Sequence, residues 1–209
     1  MDIDKENLKN ETKETVNQVK DTLKNVDINK EAKETKSFLK EMLVSPFEKI
    51  SNIAEGKEEA FKKAIVLLII NIAAAVLTAL INAFKYSYGT VISKIGGIIM
   101  SAINPIIVIA VPAIIILIMN KTNKKPLTTV IATLVVTSVP EILCAVINIV
   151  ASLLPALYIV ITPVVATLST IAIIFEFVGM RTLFGEEKET FLTKFAIIKV
   201  ISSLVFYII

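Results

Sequence analysis

Residues 126–180 read PLTTVIATLVVTSVPEILCAVINIVASLLPALYIVITPVVATLSTIAIIFEFVGM, and in these 55 residues only Glu141 and Glu176 are charged. As helix the stretch would be roughly 80 Å long, whereas a bilayer's hydrocarbon core is about 30 Å thick. One crossing cannot consume it, so the chain must cross, turn and return. The turn is expected near Ser152-Leu153-Leu154-Pro155, because proline cannot continue a helix on its N-terminal side.

Working outward, three more apolar segments accompany this pair. Ala64–Phe84 carries no charge between Lys63 and Lys85, and Ile95–Asn120 is likewise uncharged. The last segment, residues 190–209, contains Lys194 and Lys199, yet its apolar residues contribute roughly −6 kcal/mol against about 3 for one central lysine. The sequence therefore predicts an all-α polytopic membrane protein with five transmembrane helices, at about 64–84, 98–119, 127–150, 156–180 and 190–209, behind a cytoplasmic N-terminal helical arm. Asn71, Ala75, Ala79 and Ala83 form one ladder of mostly small residues and Gly89, Ser93, Gly97 and Ser101 another; both read as ridges for close helix packing. Residues 89–103 read as an oblique approach to the second span, and Pro105 and Pro112 should bend that span.

The arm contrasts sharply with this body. Residues 1–63 hold 13 of the 22 basic and 14 of the 19 acidic residues. Residues 1–36 are expected to be a polar, helical or partly disordered arm. Thr12, Val16, Val19, Leu23 and Val26 form a thin seam, which suits either a solvated helix or a partner-binding one. Residues 5–40 are accordingly the segment assigned to a protein partner or to self-association. Residues 37–63 read as amphipathic interfacial helices. There Ser45, Pro46, Phe47 and Glu48 suggest a capping box with proline at the first helical position, Phe47 and Ile50 point inward, and Gly56 is a stop. Interfacial burial in lipid and packing on the bundle are both compatible with this face.

Charge also bears on orientation. Lys57, Lys62, Lys63, Lys121, Lys124, Lys125, Arg181 and Lys188 flank the spans on the arm side, against Lys85 and Lys94 opposite. That bias predicts a multi-pass cell-membrane protein with its N-terminus cytoplasmic and its C-terminus outside. The lipid bilayer is the first expected partner, and anionic lipid is expected at Lys121, Lys124 and Lys125. A formal net charge of +3, spread evenly, argues against nucleic-acid binding. The acidic start of the chain does not read as a signal peptide.

Enzymatic chemistry finds few tools here. Histidine is absent and Cys144 is the lone cysteine, so the commonest general base and any cysteine pair for a metal are missing. No nucleophile elbow or phosphate loop occurs, and no catalytic residue, cofactor or metal is expected. Ionisable groups inside spans are the remaining candidates. Glu141 follows a threonine ladder (Thr129, Thr133, Thr137) beside Pro140, with Asn148 on the same helical side. Glu141 could pair with Lys199, and Glu176 and Lys194 fall near one membrane face. The cluster Glu141, Asn148, Thr137, Glu176, Lys194 and Lys199 reads either as mutual neutralisation that locks packing or as the ion path of a small transporter or channel.

The charged arm, the proline-containing amphipathic helix at Ser45–Ile50 and five spans resemble the Yip1 family, in particular its Gram-positive bacterial members. The resemblance covers residues 37–209 and rests on layout. The Asp-Leu-Tyr-Gly-Pro motif of eukaryotic members is absent, so their GTPase partners are not implied. What it implies is a non-enzymatic multi-pass protein that organises membrane or recruits partners through its arm.

Overall fold

A computed structural model describes residues 5–24, 28–85, 89–120 and 123–208. Among them every regular element is helical: α1 (Lys5–Lys24), α2 (Ile28–Val44), α3 (Pro46–Glu55), α4 (Phe61–Lys85), α5 (Val91–Met119), α6 (Leu127–Thr137), α7 (Val139–Leu153), α8 (Tyr158–Phe184) and α9 (Lys188–Ile208). A single 3-10 turn, Pro155–Leu157, joins α7 to α8 at the reversal the sequence required. α4, α5, α8 and α9 are long and apolar enough to cross a membrane, and α6 with α7 makes a fifth crossing if the bent pair is one span. Their flanks expose large apolar side chains such as Ile69, Ile99, Ile106, Ile159 and Ile174, which suits insertion into lipid.

Two expected spans take a different form. The oblique approach before the second span is not separate, because α5 runs unbroken from Val91 through buried Pro105 and Pro112. Thr90 starts it: its hydroxyl oxygen accepts from the Ser93 N–H at 3.2 Å, and Ser93 Oγ donates back to the Thr90 carbonyl at 2.8 Å. The third span is two helices meeting at Ser138 with a bend of 49°. Pro140 has no N–H for the carbonyl four residues back, so the first helix ends ahead of it and the second begins with proline in its opening turn.

α4 is the hub, touching α2, α5, α6 and α7. α8 lies against α3, α6 and α7, and α9 closes the bundle against α5 and α8. Gly179 sets the α6–α8 distance. A Cβ there would come within 2.6 Å of Thr137 Cγ2, 2.9 Å of Thr133 Cγ2 and 3.2 Å of Ile50 Cγ2, so only hydrogen permits this approach. The threonine ladder is thus a packing seam, its hydroxyls returned to its own helix: Thr133 to the Thr129 carbonyl and Thr137 to the Leu134 carbonyl.

On the arm side α2 and α3 dock onto the bundle. Phe38, Met42, Ile50, Ile53 and Ala54 are buried in the common core with Val135, Met180 and Leu183. Ile50 therefore faces α6 and α8, while Phe47 stays about half exposed with its ring edge-on to Phe175 at 5.8 Å. Ser45 does occupy the N-cap position and Pro46 the first turn, but the capping box does not form: Ser45 makes no side-chain cap hydrogen bond. α3 stops as expected at Gly56, which is left-handed at φ 79°, with Gly56 N–H on the Ile53 carbonyl and Lys57 N–H on the Asn52 carbonyl. The boundary expected at residue 36 falls inside α2, which is continuous across it. In α1 it is Thr15 that is buried, against α4 and α6, while Val16 is exposed. Val26 and the side chains of Thr12 and Leu23 lie outside the described residues.

Candidate functional site

The ionisable groups of the spans pair differently from the sequence expectation. Lys199 Nζ donates to Glu176 Oε2 at 2.6 Å, joining α9 to α8 near mid-span. Glu176 is buried and the Lys199 side chain is partly exposed. Lys194 instead pairs with Glu186 and lies over the Phe184 ring, 5.3 Å from its centroid. Phe177, Phe191 and Phe195 continue that aromatic contact, with centroids 5.2–6.1 Å apart. One ion pair, Lys199–Glu176, therefore joins α8 to α9 beside this aromatic packing, while Lys194–Glu186 ties α9 to the connection that precedes it.

Glu141 is left over. It stands in the first turn of α7, at the 49° break, where the helix N-terminus favours an anion. It is within electrostatic range of both Glu176 and Lys199. Yet among the described residues none gives it a hydrogen bond or an ion pair, so the expected Glu141–Lys199 pair is not formed. Thr137 is not a neighbouring ligand either, since its hydroxyl serves Leu134 and its methyl faces Gly179.

Asn148 belongs to another place. With Ala145 it lines a cavity of about 500 Å³ between α4, α5 and α7, at the end of the bundle remote from the arm. Thr78, Asn82, Lys94 and Ser101 supply its other polar groups. Its apolar wall is the two small-residue ladders, through Ala75, Ala79, Ala83 and Gly97. The close packing expected of the second ladder is not made at Gly97, where a Cβ would meet nothing within 4 Å.

Sequence reasoning missed three sets of helix-end contacts. Lys85 Nζ donates to the carbonyls of Ser152 and Leu153, at 2.8 and 3.3 Å, and so caps the C-terminus of α7. Asn120 and Asn123 both donate to the Leu183 carbonyl at the end of α8, at 2.8 and 3.1 Å, beside left-handed Gly185. Lys125 donates to the Glu55 carbonyl at the end of α3, which leaves Lys124 exposed and Lys121 outside the described residues. The common signal was a Lys or Asn next to a span end, where unpaired carbonyls await a donor.

The arm side carries a denser charge cluster. Lys49 bonds Glu41 and Glu58, the latter at 2.9 Å, and Lys63 stands 3.8 Å from Glu58. Both lysines sit 5.3 Å from the buried Phe38 ring. Bonding to Lys49 holds the Glu41 carboxyl below the usual range. Burial alone would pull the Lys49 ammonium down, but its bonds to Glu41 and Glu58 outweigh that and leave it raised. A second cavity of about 760 Å³ lies nearby, lined by the acids Asp21, Glu34, Glu58 and Glu59 and by Lys62 and Lys63. Among the described residues no group of three His, Cys, Asp or Glu side chains is placed to hold a metal.

No protein-family model, curated protein or solved structure matches this chain.

Proposed function

We propose that this is a non-enzymatic, Yip1-like multi-pass protein of the cell membrane that organises membrane or recruits a partner through a cytoplasmic arm. One observation carries the reading: α2 and α3 are clamped to the bundle by a buried face while α1 keeps Lys13, Glu14 and Lys20 exposed. An arm clamped in this way transmits a partner's load directly to the spans. The lysine bias toward the arm side supports a cytoplasmic N-terminus and an outer C-terminus, and exposed Lys124 suits anionic headgroups. The test removes residues 1–27, which takes away α1 and keeps the clamp, and compares co-purified proteins with those of the full chain. Loss of the specific set supports recruitment by the arm; an unchanged set overturns it.

A second reading has its own observation. The break beside an unpaired Glu141 is the kind of discontinuous span in which transporters bind ions. Ion flux into vesicles containing the full chain, abolished by Glu141→Gln, would establish a small transporter or channel using Glu141 and Lys199. Flux equal to that of empty vesicles for every ion tried would end that reading.

A further inference from the structure

We infer that the cavity between α4, α5 and α7 is a binding site for one anionic amphiphile, which places a phosphate at Lys94 and lays its apolar chain along the small-residue walls. Small residues at four-residue spacing ordinarily bring helix backbones into contact. Here they hold a space of about 500 Å³ open, within the range of small-ligand sites. Gly97 contributes to that space rather than to a contact.

Apart from Ser101, the polar side chains that line the cavity have no hydrogen-bond partner among the described residues. Thr78 Oγ1 is buried and has no hydrogen bond. Such a hydroxyl in a helix can usually return its proton to the preceding turn, as Ser101 does to the Gly97 carbonyl at 2.8 Å. Among the described residues Lys94 forms no ion pair and no hydrogen bond. In contrast, Lys194 and Lys199 each meet a carboxylate, and Lys85 meets helix-end carbonyls. No acid lines the cavity, and the sequence has none between Glu59 and Glu141. Lys94 is thus a half-buried cation without a counter-charge among the described residues.

Polar residues line the cavity from three helices: Lys94 from α5, Asn82 and Thr78 from α4, and Asn148 from α7. A phosphate with several acceptor oxygens satisfies such a set, and its charge answers the ammonium. Lys94 and Asn82 both lie within about a turn of their helix ends, the depth of a lipid headgroup. Ala75, Ala79 and Ile98 lie deeper and offer only apolar surface.

The full chain in neutral detergent is offered phosphatidylglycerol, phosphatidylcholine or inorganic phosphate, and bound species are read by native mass spectrometry. One phosphatidylglycerol per chain should be retained about tenfold better than phosphatidylcholine. Lys94→Gln should bring the two within about twofold, by removing the charge-assisted bond. Gly97→Leu fills the cavity and should abolish retention while the thermal midpoint holds, and Ala79→Leu serves if that variant fails to fold. Equal retention of the two lipids by the unaltered chain overturns the proposal. So does phosphatidylglycerol binding that survives both filling substitutions, because it would then lie on the lipid-facing surface. Displacement by millimolar inorganic phosphate alone would mean a free-anion site and overturns the amphiphile.

Discussion

Gly179 shows how much one missing methyl can decide. Thr133, Thr137 and Ile50 crowd its Cα from two elements, so Gly179→Ala should cost about 1–3 kcal/mol through overpacking, read as a lower thermal midpoint in detergent. Thr137→Ser removes the nearest methyl and should restore part of the loss. The ladder was legible in the sequence, and a lone glycine in an apolar helix was a signal for its counterpart. Which helix met which was not, because the contact joins residues more than forty apart. The same holds for charge: four ionisable groups could be placed in spans, but their partners depend on helix rotation. Glu176→Gln or Lys199→Met should each cost about 1–2 kcal/mol, and the double change to leucine should recover most of it. Glu141→Gln should be neutral or stabilising by the same unfolding assay, since it breaks no bond and removes repulsion from Glu176.

At the scale of elements, the clamp of α2 and α3 is held by an aromatic ring and by ions. Phe38→Ala should cost about 3–5 kcal/mol and release α2 first, seen as faster amide hydrogen exchange over residues 33–44. The ionic part has a defined pH range. Glu41 is held below its ordinary 4.5, so its contribution is present above that value and is lost as pH falls through the lowered one. Lys49 is raised above 10.5, so its contribution is present below that value and is lost as pH climbs through the raised one. Exchange in α2 should therefore accelerate, beyond the intrinsic pH effect, only outside that interval; acceleration at pH 6 would contradict the pairing. The broken third span is the element on which sequence reading came closest and still fell short. Pro140 marks where a helix hydrogen bond is lost, but the 49° angle at Ser138 goes with what α6 and α7 each pack against.

For the whole molecule, α6 and α7 decide the topology: counted as one bent crossing beside α4, α5, α8 and α9 they make five, which would put the chain's two ends on opposite sides of a bilayer. Cysteines placed one at a time at Lys13 and Phe206, in a Cys144→Ser background, should react with an impermeant maleimide from opposite faces. Labelling from the same face would mean that α6 and α7 dip in and return on one side. The four long apolar helices could be read from the sequence because each needs only length and little charge, both local properties; whether α6 and α7 add a fifth crossing turns on the bend at Ser138.

The residues by themselves determined helical class, which segments are long and apolar enough to cross a membrane, the reversal at Pro155 and the stop at Gly56. Each of these follows from hydrophobic content or backbone stereochemistry within one turn or one span. The tertiary structure alone decided that Lys199 takes Glu176, that Glu141 has no partner among the described residues, and that two ladders of small residues line an open hollow. A four-residue spacing defines a face but not what stands opposite it, and a rotation of a few tens of degrees exchanges contact for empty space.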